Sequence, residues 1–471
     1  MTRFPTANGC SRSENPLRKL LFLCGWPVGL LAQPQPLSLT LDSAVALGTR
    51  GATAVLQARD VARLGGALVL ERYAQFLPDL RTGGLFDEYS GNVLLSQRDI
   101  HPTDTRFREL GYHASSSLNL FNGFADVAGV KAALATRSAA DLTVTRAEQT
   151  IALDVAQSFL GVTLDQQLVA IATQNVTASQ LRVEQLQELV RVGKRPPADL
   201  YRQQAQAAAD QSTLEDARNR VQSDEVGLLE RIRQDPHVPV QLIEPVADTG
   251  LLGAHYSDID GLVREATTRR ADLQAADADV TANRADITRA RAGYLPRLDL
   301  GASVFSLGRF FDYAATNGSS LLTTPQTPLV DQIGHNLTGE VWLGLNWYVF
   351  DQFRTRLSVE RAKVSYDASQ YVDQDLRLSV AGDVVRAIAD YRTAVNQFNA
   401  SRAGLDAAQQ AYDLVNGRFQ VGFASIVDVT TAQTALVQAQ SLRAQAMVNL
   451  ALRKKAVGYA LGLDPTAALP Q

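Results

Sequence analysis

An internal repeat constrains the fold of this 471-residue chain more than any other feature of its sequence. Three pairs of matching segments lie 229 residues apart: 120–124 and 349–353, 192–200 and 421–429, and 235–236 and 464–465. A Leu-Pro-x-Leu pair, at 77–80 and 295–298, is 218 residues apart, and a surface loop absorbs the difference of eleven. One spacing kept over more than a hundred residues indicates a duplicated unit rather than three unrelated domains.

The domain boundaries follow from this repeat. We predict a signal peptide over 1–32, a first repeat over 38–236, a linker over 237–256, a second repeat over 257–465 and a tail over 466–471. The segment 1–32 combines four basic residues with an apolar stretch ending at Ala32, which is typical of secretory leaders. Both cysteines, Cys10 and Cys24, lie in it, so the exported chain would have none to crosslink.

Each repeat is predicted to contain long helices. Helix-compatible stretches cover 39–75, 122–191 and 197–232 in the first repeat, and 258–293, 351–420 and 426–462 in the second. The longest have about 70 residues and would extend roughly 100 Å at 1.5 Å per residue. Helices of this length, rich in Ala, Gln and Ser, favour a coiled-coil-like assembly over an ordinary globular domain.

The segments between the helices, 76–121 and 294–350, are predicted to form strands. Apolar residues alternate with others over 294–305 and 341–350, and strands of about ten residues with this pattern are typical of transmembrane β-barrels. Aromatic residues suited to the membrane interfaces are Tyr294, Trp342, Trp347, Tyr348 and Phe350. A soluble β-sandwich would show the same alternation, but export and the long helices favour the barrel. Four strands per chain are too few to close one, so the chain must oligomerise.

Several classes of function are not expected. The five histidines show no metal-binding spacing, and the sequence contains no phosphate-binding loop or catalytic motif, so we predict no enzyme, cofactor or metal site. The net charge of -4, which becomes -7 without the leader, gives no basic surplus for nucleic acid. After the leader, no apolar run of about 18 residues or more exists, which excludes a conventional helical membrane protein.

The duplicated motifs, taken in order, resemble the TolC-like outer-membrane efflux protein family. They are the Leu-Pro-x-Leu pair, the strand-to-helix junctions at Phe121 and Phe350, and two Val-Gly turns each followed by Asp, within 38–465. The resemblance implies an α+β membrane protein that forms a homotrimer. Each protomer would give four strands to a twelve-stranded outer-membrane β-barrel and its helices to a long periplasmic α-barrel, with 237–256 in an equatorial belt. The implied partners are a periplasmic adaptor (membrane fusion protein), an inner-membrane transporter and outer-membrane lipid.

The resemblance also implies where the functional site lies. The turns at Gly193 and Gly422 would be periplasmic tips, and Asp428, with Asp199 as its counterpart in the first repeat, would line an entrance that closes like an iris. Three copies of Asp428 would concentrate negative charge and attract cations. The alternative is that both aspartates only cap the helices that follow the turns.

Two positions differ from the family pattern. A second acidic residue of the entrance is Thr431 here, and an arginine that latches the turn is Ala424. Lys194 and Arg195, in the other tip, are the predicted substitutes. The closed state would therefore be held by different contacts.

These features predict a passive exit duct for small molecules in a tripartite efflux system. The same duct would serve type I protein secretion, and the sequence does not separate the two. An exported coiled-coil scaffold or adhesin without a pore is the remaining alternative. A monomer that is soluble without detergent would favour this scaffold.

Overall fold

The structure is a computed structural model that describes residues 37–93, 103–243, 256, 258–316, 319–320 and 325–463. The predicted signal peptide with both cysteines, the tail over 466–471 and most of the linker therefore lie outside the described residues. Two short segments of the linker, 237–243 and 256, are described. They belong to a second layer of structure beside the long helices.

Helices dominate the described chain. They are α1 Leu41–Gly51, α2 Thr53–Ala74, α3 Ala125–Arg191, α4 Pro197–Arg231, α5 Ile259–Arg269, α6 Ala271–Arg291, α7 Leu329–His335, α8 Arg354–Gln420 and α9 Ile426–Ala460. Both α3 and α8 have 67 residues and both α4 and α9 have 35, so the predicted long helices are confirmed and form two hairpins of equal size. None of the described helices combines the length and the apolar character needed to cross a membrane.

The strands form one large antiparallel sheet and one small parallel pair. They are β1 Leu37–Leu39, β2 Arg81–Val93, β3 Thr103–Phe121, β4 Val240–Leu242, β5 Arg297–Thr316, β6 Ser319–Ser320 and β7 Thr338–Asn346. The large sheet has the order β2-β3-β5-β7, with β6 paired to the far end of β5. At 19 and 20 residues, β3 and β5 are twice as long as the predicted strands of about ten residues. Aromatic and charged residues interrupt the alternation in their outer halves, so the sequence pattern does not mark these halves as strand.

Each of the four long strands of the large sheet is continuous with one helix, and these strands and helices share one order. Helix α2 leads into β2, β3 into α3, α6 into β5 and β7 into α8. The helices pack as α2 on α3, α3 on α6 and α6 on α8. In the other half of the long helices the order is α4, α3, α9 and α8. The described chain is therefore a wall of four helical rods, with the sheet at one end and the hairpin turns at the other. The rods are α2 followed by α4, α3 alone, α6 followed by α9, and α8 alone.

The sheet has an apolar and a polar face. Leu118, Leu300 and Leu343 lie opposite one another on β3, β5 and β7, and therefore share the apolar face. The next residues point the other way, and Asn119 and Asp299 are paired there. Trp342 also lies on this polar face, and its ring covers Gly301. A Cβ at position 301 would overlap this ring, so only glycine leaves enough room.

A second layer covers the middle of the wall and changes one prediction. Strands β1 and β4 with α1 pack on the middle of α3, and Tyr256 with α5 packs on α8. The stretches 39–75 and 258–293 were each expected to be one helix, and this is wrong. Each consists of two helices, because Ala52 and Arg270 take an extended backbone that directs α1 and α5 into the second layer.

Arg270 joins this layer to the long helix α8. Its side chain is only 5% exposed and makes ion pairs with Asp272 at 2.6 Å and Asp383 at 3.1 Å. Nearby, the Gln149 amide in α3 donates to the carbonyl of Gly462, just after α9, at 2.9 Å. The end of α9 is thereby fixed beside the middle of α3.

Candidate functional site at the hairpin tips

Both hairpins reverse through the same five-residue turn, which we call tip 1 (192–196) and tip 2 (421–425). In each tip the amide that follows the glycine donates to the carbonyl five residues earlier, at 2.8 Å. Gly193 and Gly422 have φ angles of 76° and 87°, a left-handed conformation that glycine adopts without strain. The repeat thus gives two tips with one backbone conformation and different side chains.

An apolar cluster joins the two hairpins just above the tips. Its buried members are Leu186, Phe419, Ile426 and Val429, surrounded by Leu189, Leu200, Tyr412, Val415 and Ala424. Because these residues come from α3, α4, α8 and α9, both hairpins contribute to one small core. Burial of four large side chains, at about 1.5–3 kcal/mol each, is the main contribution that holds the tips of one protomer together.

Asp428 is the third residue of α9 and takes part in a capping box. Its carboxylate accepts from the Ser425 amide at 2.9 Å and from the Ser425 hydroxyl at 2.7 Å, while its own amide donates to that hydroxyl. These hydrogen bonds, helped by Arg418, hold the pKa of Asp428 below its usual range. The carboxylate is exposed and stays ionised in mild acid, so capping leaves it free to act as a surface charge.

Asp199 has the matching position in α4 but different surroundings. Two prolines precede it, so no side chain caps the helix, although its charge still favours the helix N-terminus. Its side chain is 16% exposed and lies 4.0 Å from the Arg202 guanidinium. No hydrogen bond or ion pair joins Asp199 to Asp428 within the described chain.

Of the two basic residues predicted in tip 1, only Arg195 reaches tip 2. Its guanidinium lies 4.9 Å from the centre of the Phe419 ring, and its terminal nitrogen donates to the Ala424 carbonyl at 3.4 Å. Lys194 is exposed and makes no ion pair with any described residue. Arg195 therefore contacts the position where the family has its latching arginine, but it does so from the opposite hairpin.

Arg182 is a functional candidate that sequence reasoning missed. It lies in α3, is only 7% exposed, and donates to Asn416 Oδ1 at 3.2 Å and to the Tyr412 hydroxyl at 3.1 Å in α8. Its Nε has no partner among the described residues, and no described carboxylate pairs with it. This guanidinium is held by two neutral acceptors and lies 5.9 Å from the centre of the Phe419 ring, and its desolvation offsets part of its hydrogen bonding.

One sequence signal could have identified Arg182. Val176, Ser179 and Leu186 are buried in α3, and Arg182 follows the same spacing of three and four residues. A charged residue on the buried side of a helix requires a polar partner from another element. The sequence does not reveal that partner, because the register of α3 against α8 is set only in the folded structure.

A pair of carboxyl groups in the upper part of the first hairpin was also missed. Burial, together with a hydrogen bond to Asp224, raises the pKa of Asp165 to about 6, and Arg220 opposes the shift only partly. Burial also raises the pKa of the adjacent Glu225, to which the Gln166 amide donates at 3.2 Å. In mild acid, the Asp165 carboxyl between α3 and α4 is therefore protonated.

Asp165→Asn is expected to stabilise this hairpin at neutral pH. A carboxyl whose pKa is higher in the folded than in the unfolded chain contributes stability that is full below about pH 4 and is lost as pH rises through about 6. Since Asp165 is only partly buried, we expect about 1 kcal/mol, or roughly fivefold slower amide exchange in α3 and α4 at pH 7.5. At pH 4.5 the variant and the unaltered protein should exchange alike. Asp216→Asn, at an exposed position of α4, is the control, and equal exchange at both pH values would contradict the prediction.

Comparison with known proteins agrees with this architecture. A family model described as "Outer membrane efflux protein" matches residues 48–231 and 262–463, one match in each half. The pyoverdine export outer membrane protein OpmQ of Pseudomonas aeruginosa is 24% identical over 406 residues, which are 86% of this chain and 79% of OpmQ. The outer membrane protein TolC of Escherichia coli is 24% identical over 204 residues, 43% of this chain and 40% of TolC.

Solved structures share the fold. The outer-membrane channel OprN superposes with a TM-score of 0.71 at 19% identity, over 90% of this chain and 89% of its own. CusC superposes with a TM-score of 0.75 at 14% identity, over 90% of this chain and 92% of its own. The family model covers most of the chain, and its two matches agree with the duplicated helical hairpins. The chain therefore belongs to the outer membrane efflux protein family, as a channel protein of the outer membrane.

Proposed function

We propose that three copies of this chain form the exit duct of a tripartite efflux system. The observation that carries the proposal is the incomplete sheet: among the described strands, β2 and β7 each pair on one side only. Its apolar face is open as well, and Val341, Leu343 and Leu345 of β7 are 64–76% exposed. Unpaired edges and an open apolar face are unstable in water, so the protomer is suited to pairing with its own copies inside a membrane.

Three is the smallest number of copies that leaves a passage. Two protomers would provide eight strands, and side chains fill the interior of such a barrel. Three provide twelve, in which β7 of each protomer pairs with β2 of the next and the polar face lines the interior. The rods then continue as a helical tube into the periplasm. The resemblance to TolC-like proteins supports the same trimer.

The duct would be passive and would depend on partners. An inner-membrane transporter would supply the energy, and a periplasmic adaptor would connect it to the tips. We assign no catalytic reaction, cofactor or metal to the chain, and no nucleic acid among its ligands. The relatives named for pyoverdine export support small-molecule efflux over type I protein secretion, which remains the second candidate.

The tips would form the gate of this duct, with Asp428 as its charged ring. Asp428→Asn is expected to abolish block by divalent cations and reduce cation selectivity several-fold in single-channel recordings, because three adjacent charges are removed. The asparagine amide oxygen still accepts from Ser425, so the start of α9 is kept. Because the pKa of Asp428 is lowered, block of the unaltered channel should persist at pH 5.

The matched control is Asp413→Asn, which removes an exposed carboxylate from α8 above the tips. Its recordings should be the same as those of the unaltered channel. Equal divalent block in all three proteins would show that Asp428 only caps its helix.

Two measurements test the function as a whole. The mass of the purified protein and its conductance in planar bilayers test the trimeric channel, and a detergent-free monomer without conductance would favour the scaffold. Deletion of the gene, followed by drug-susceptibility and secretome profiling, separates the two kinds of duct. Increased drug susceptibility with an unchanged secretome is expected for efflux, whereas loss of a secreted protein would support type I secretion.

A further inference from the structure

We propose that the two tips present different chemistry to the adaptor, an aromatic contact from Phe423 in tip 2 and a cationic contact from Lys194 in tip 1. The matching partner surface is an apolar notch bordered by carboxylates. This inference rests on the proposed exit duct, since it specifies the partner that the tips would meet.

Tip 2 exposes two apolar side chains. Phe423 is 77% exposed and Val421 is 68% exposed, while the neighbouring Ala424 packs into the apolar cluster above the tips. Phe423 is therefore not needed for the core of its own protomer. A large aromatic side chain held outward on a well-defined turn is a typical anchor for a protein partner.

Tip 1 carries an exposed positive charge. Arg195 is engaged with Phe419 and Ala424, and Arg191 pairs with Glu188 within its own helix. Lys194 remains as an exposed cation that no described residue neutralises. It has the same place in tip 1 as Phe423 has in tip 2, because each directly follows the turn glycine.

The symmetry of the proposed trimer brings both kinds of tip to the same end of the tube. Three protomers place six tips with one backbone conformation at the end of the tube, and Lys194 and Phe423 alternate around them. An oligomer of identical adaptor subunits would meet both kinds of tip, so its contact surface must accept either side chain. An apolar notch with acidic edges does so, because the notch buries the aromatic ring and the carboxylates pair with the lysine.

The two contacts predict different salt dependence. Apolar burial changes little with ionic strength, whereas a pair of exposed charges weakens as salt increases. The aromatic contact should therefore supply most of the affinity, and the lysine should supply most of its dependence on salt. Both side chains are exposed and neither belongs to the apolar cluster above the tips, so neither substitution should unfold its hairpin.

The test measures binding between the purified trimer and one purified probe, the periplasmic adaptor whose deletion reproduces the phenotype of deleting this chain. Phe423→Ser is expected to weaken binding at least tenfold at every salt concentration. Lys194→Ser is expected to weaken it about threefold at low salt and to remove most of the salt dependence. Leu414→Ser, at a 70% exposed position of α8 above the tips, is the control and should bind normally.

The outcomes separate this inference from the proposed function. If the unaltered trimer conducts and binds while both tip variants bind equally well, the tip chemistry is wrong and the duct stands. If Phe423→Ser prevents trimer formation, this ring contacts a second copy of the chain, and the inference is also wrong. If the unaltered protein neither conducts nor binds any adaptor, the proposed function itself fails.

Discussion

Arg182→Ala is expected to make the closed duct leak, with a several-fold larger mean conductance in planar bilayers and greater sensitivity of cells to bulky drugs. The change removes both hydrogen bonds from α3 to Tyr412 and Asn416. The net contribution of a hydrogen bond to a charged group is about 1.5–3 kcal/mol. A net loss of about 2 kcal/mol per protomer corresponds to roughly a thirtyfold shift towards separated hairpins.

Two further variants show whether this effect belongs to the contact between the hairpins. Tyr412→Phe removes only one acceptor and should change conductance in the same direction by a smaller amount. Arg191→Ala removes an exposed arginine that pairs within its own helix and should have no effect. If Arg182→Ala conducts like the unaltered protein, the apolar cluster alone holds the tips, and the buried arginine has no part in closure.

Gly123→Ala is expected to reduce the yield of assembled protein in the outer membrane more than tenfold. Gly123 lies between β3 and α3 with a φ angle of 68°, and a Cβ there would lie 2.8 Å from the Ala292 carbonyl oxygen. The left-handed backbone costs alanine about 1 kcal/mol, and such a close contact costs about 1–3 kcal/mol more. Since the obstacle is main chain between α6 and β5, neither rod moves without disturbing the sheet.

The second repeat supplies the control for this experiment. Gln352 has the matching position, at the junction of β7 and α8, and its φ angle of 59° shows that a side chain is tolerated there. Gln352→Gly should therefore assemble at least as well as the unaltered protein. Normal assembly of Gly123→Ala, measured as the trimer fraction after membrane extraction, would show that the junction adapts to the extra carbon.

Features that the sequence repeats were the most predictable ones. The motifs that recur 229 residues apart mark the strand-to-helix junctions and the turns, where local backbone conformation demands particular residues. Gly193 and Gly422 were placed in turns for this reason, and each does have a positive φ angle. The long helices followed from composition and from the distance between these markers.

The sequence was a poorer guide where distant segments decide the structure. The outer halves of β3 and β5 contain ion pairs such as Arg108–Asp312, whose partners are 204 residues apart, and this hides the alternation that a strand should show. The helices end at Ala52 and Arg270 because of the second layer, which no local sequence pattern predicts. Arg182 and the pair of Asp165 with Asp224 depend on how neighbouring helices align, which periodicity alone does not determine.

The second layer also decides where the chain enters and leaves the described fold. Leu39 packs against Val155 and Phe159 in the middle of α3, and the carbonyl of Gly462 is held by Gln149 close by. These segments are about 55 Å from the tips at 1.5 Å per helical residue. The tips consist of continuous turns held by a helix on both sides, so both ends of the described chain are held at mid-height, away from the tips.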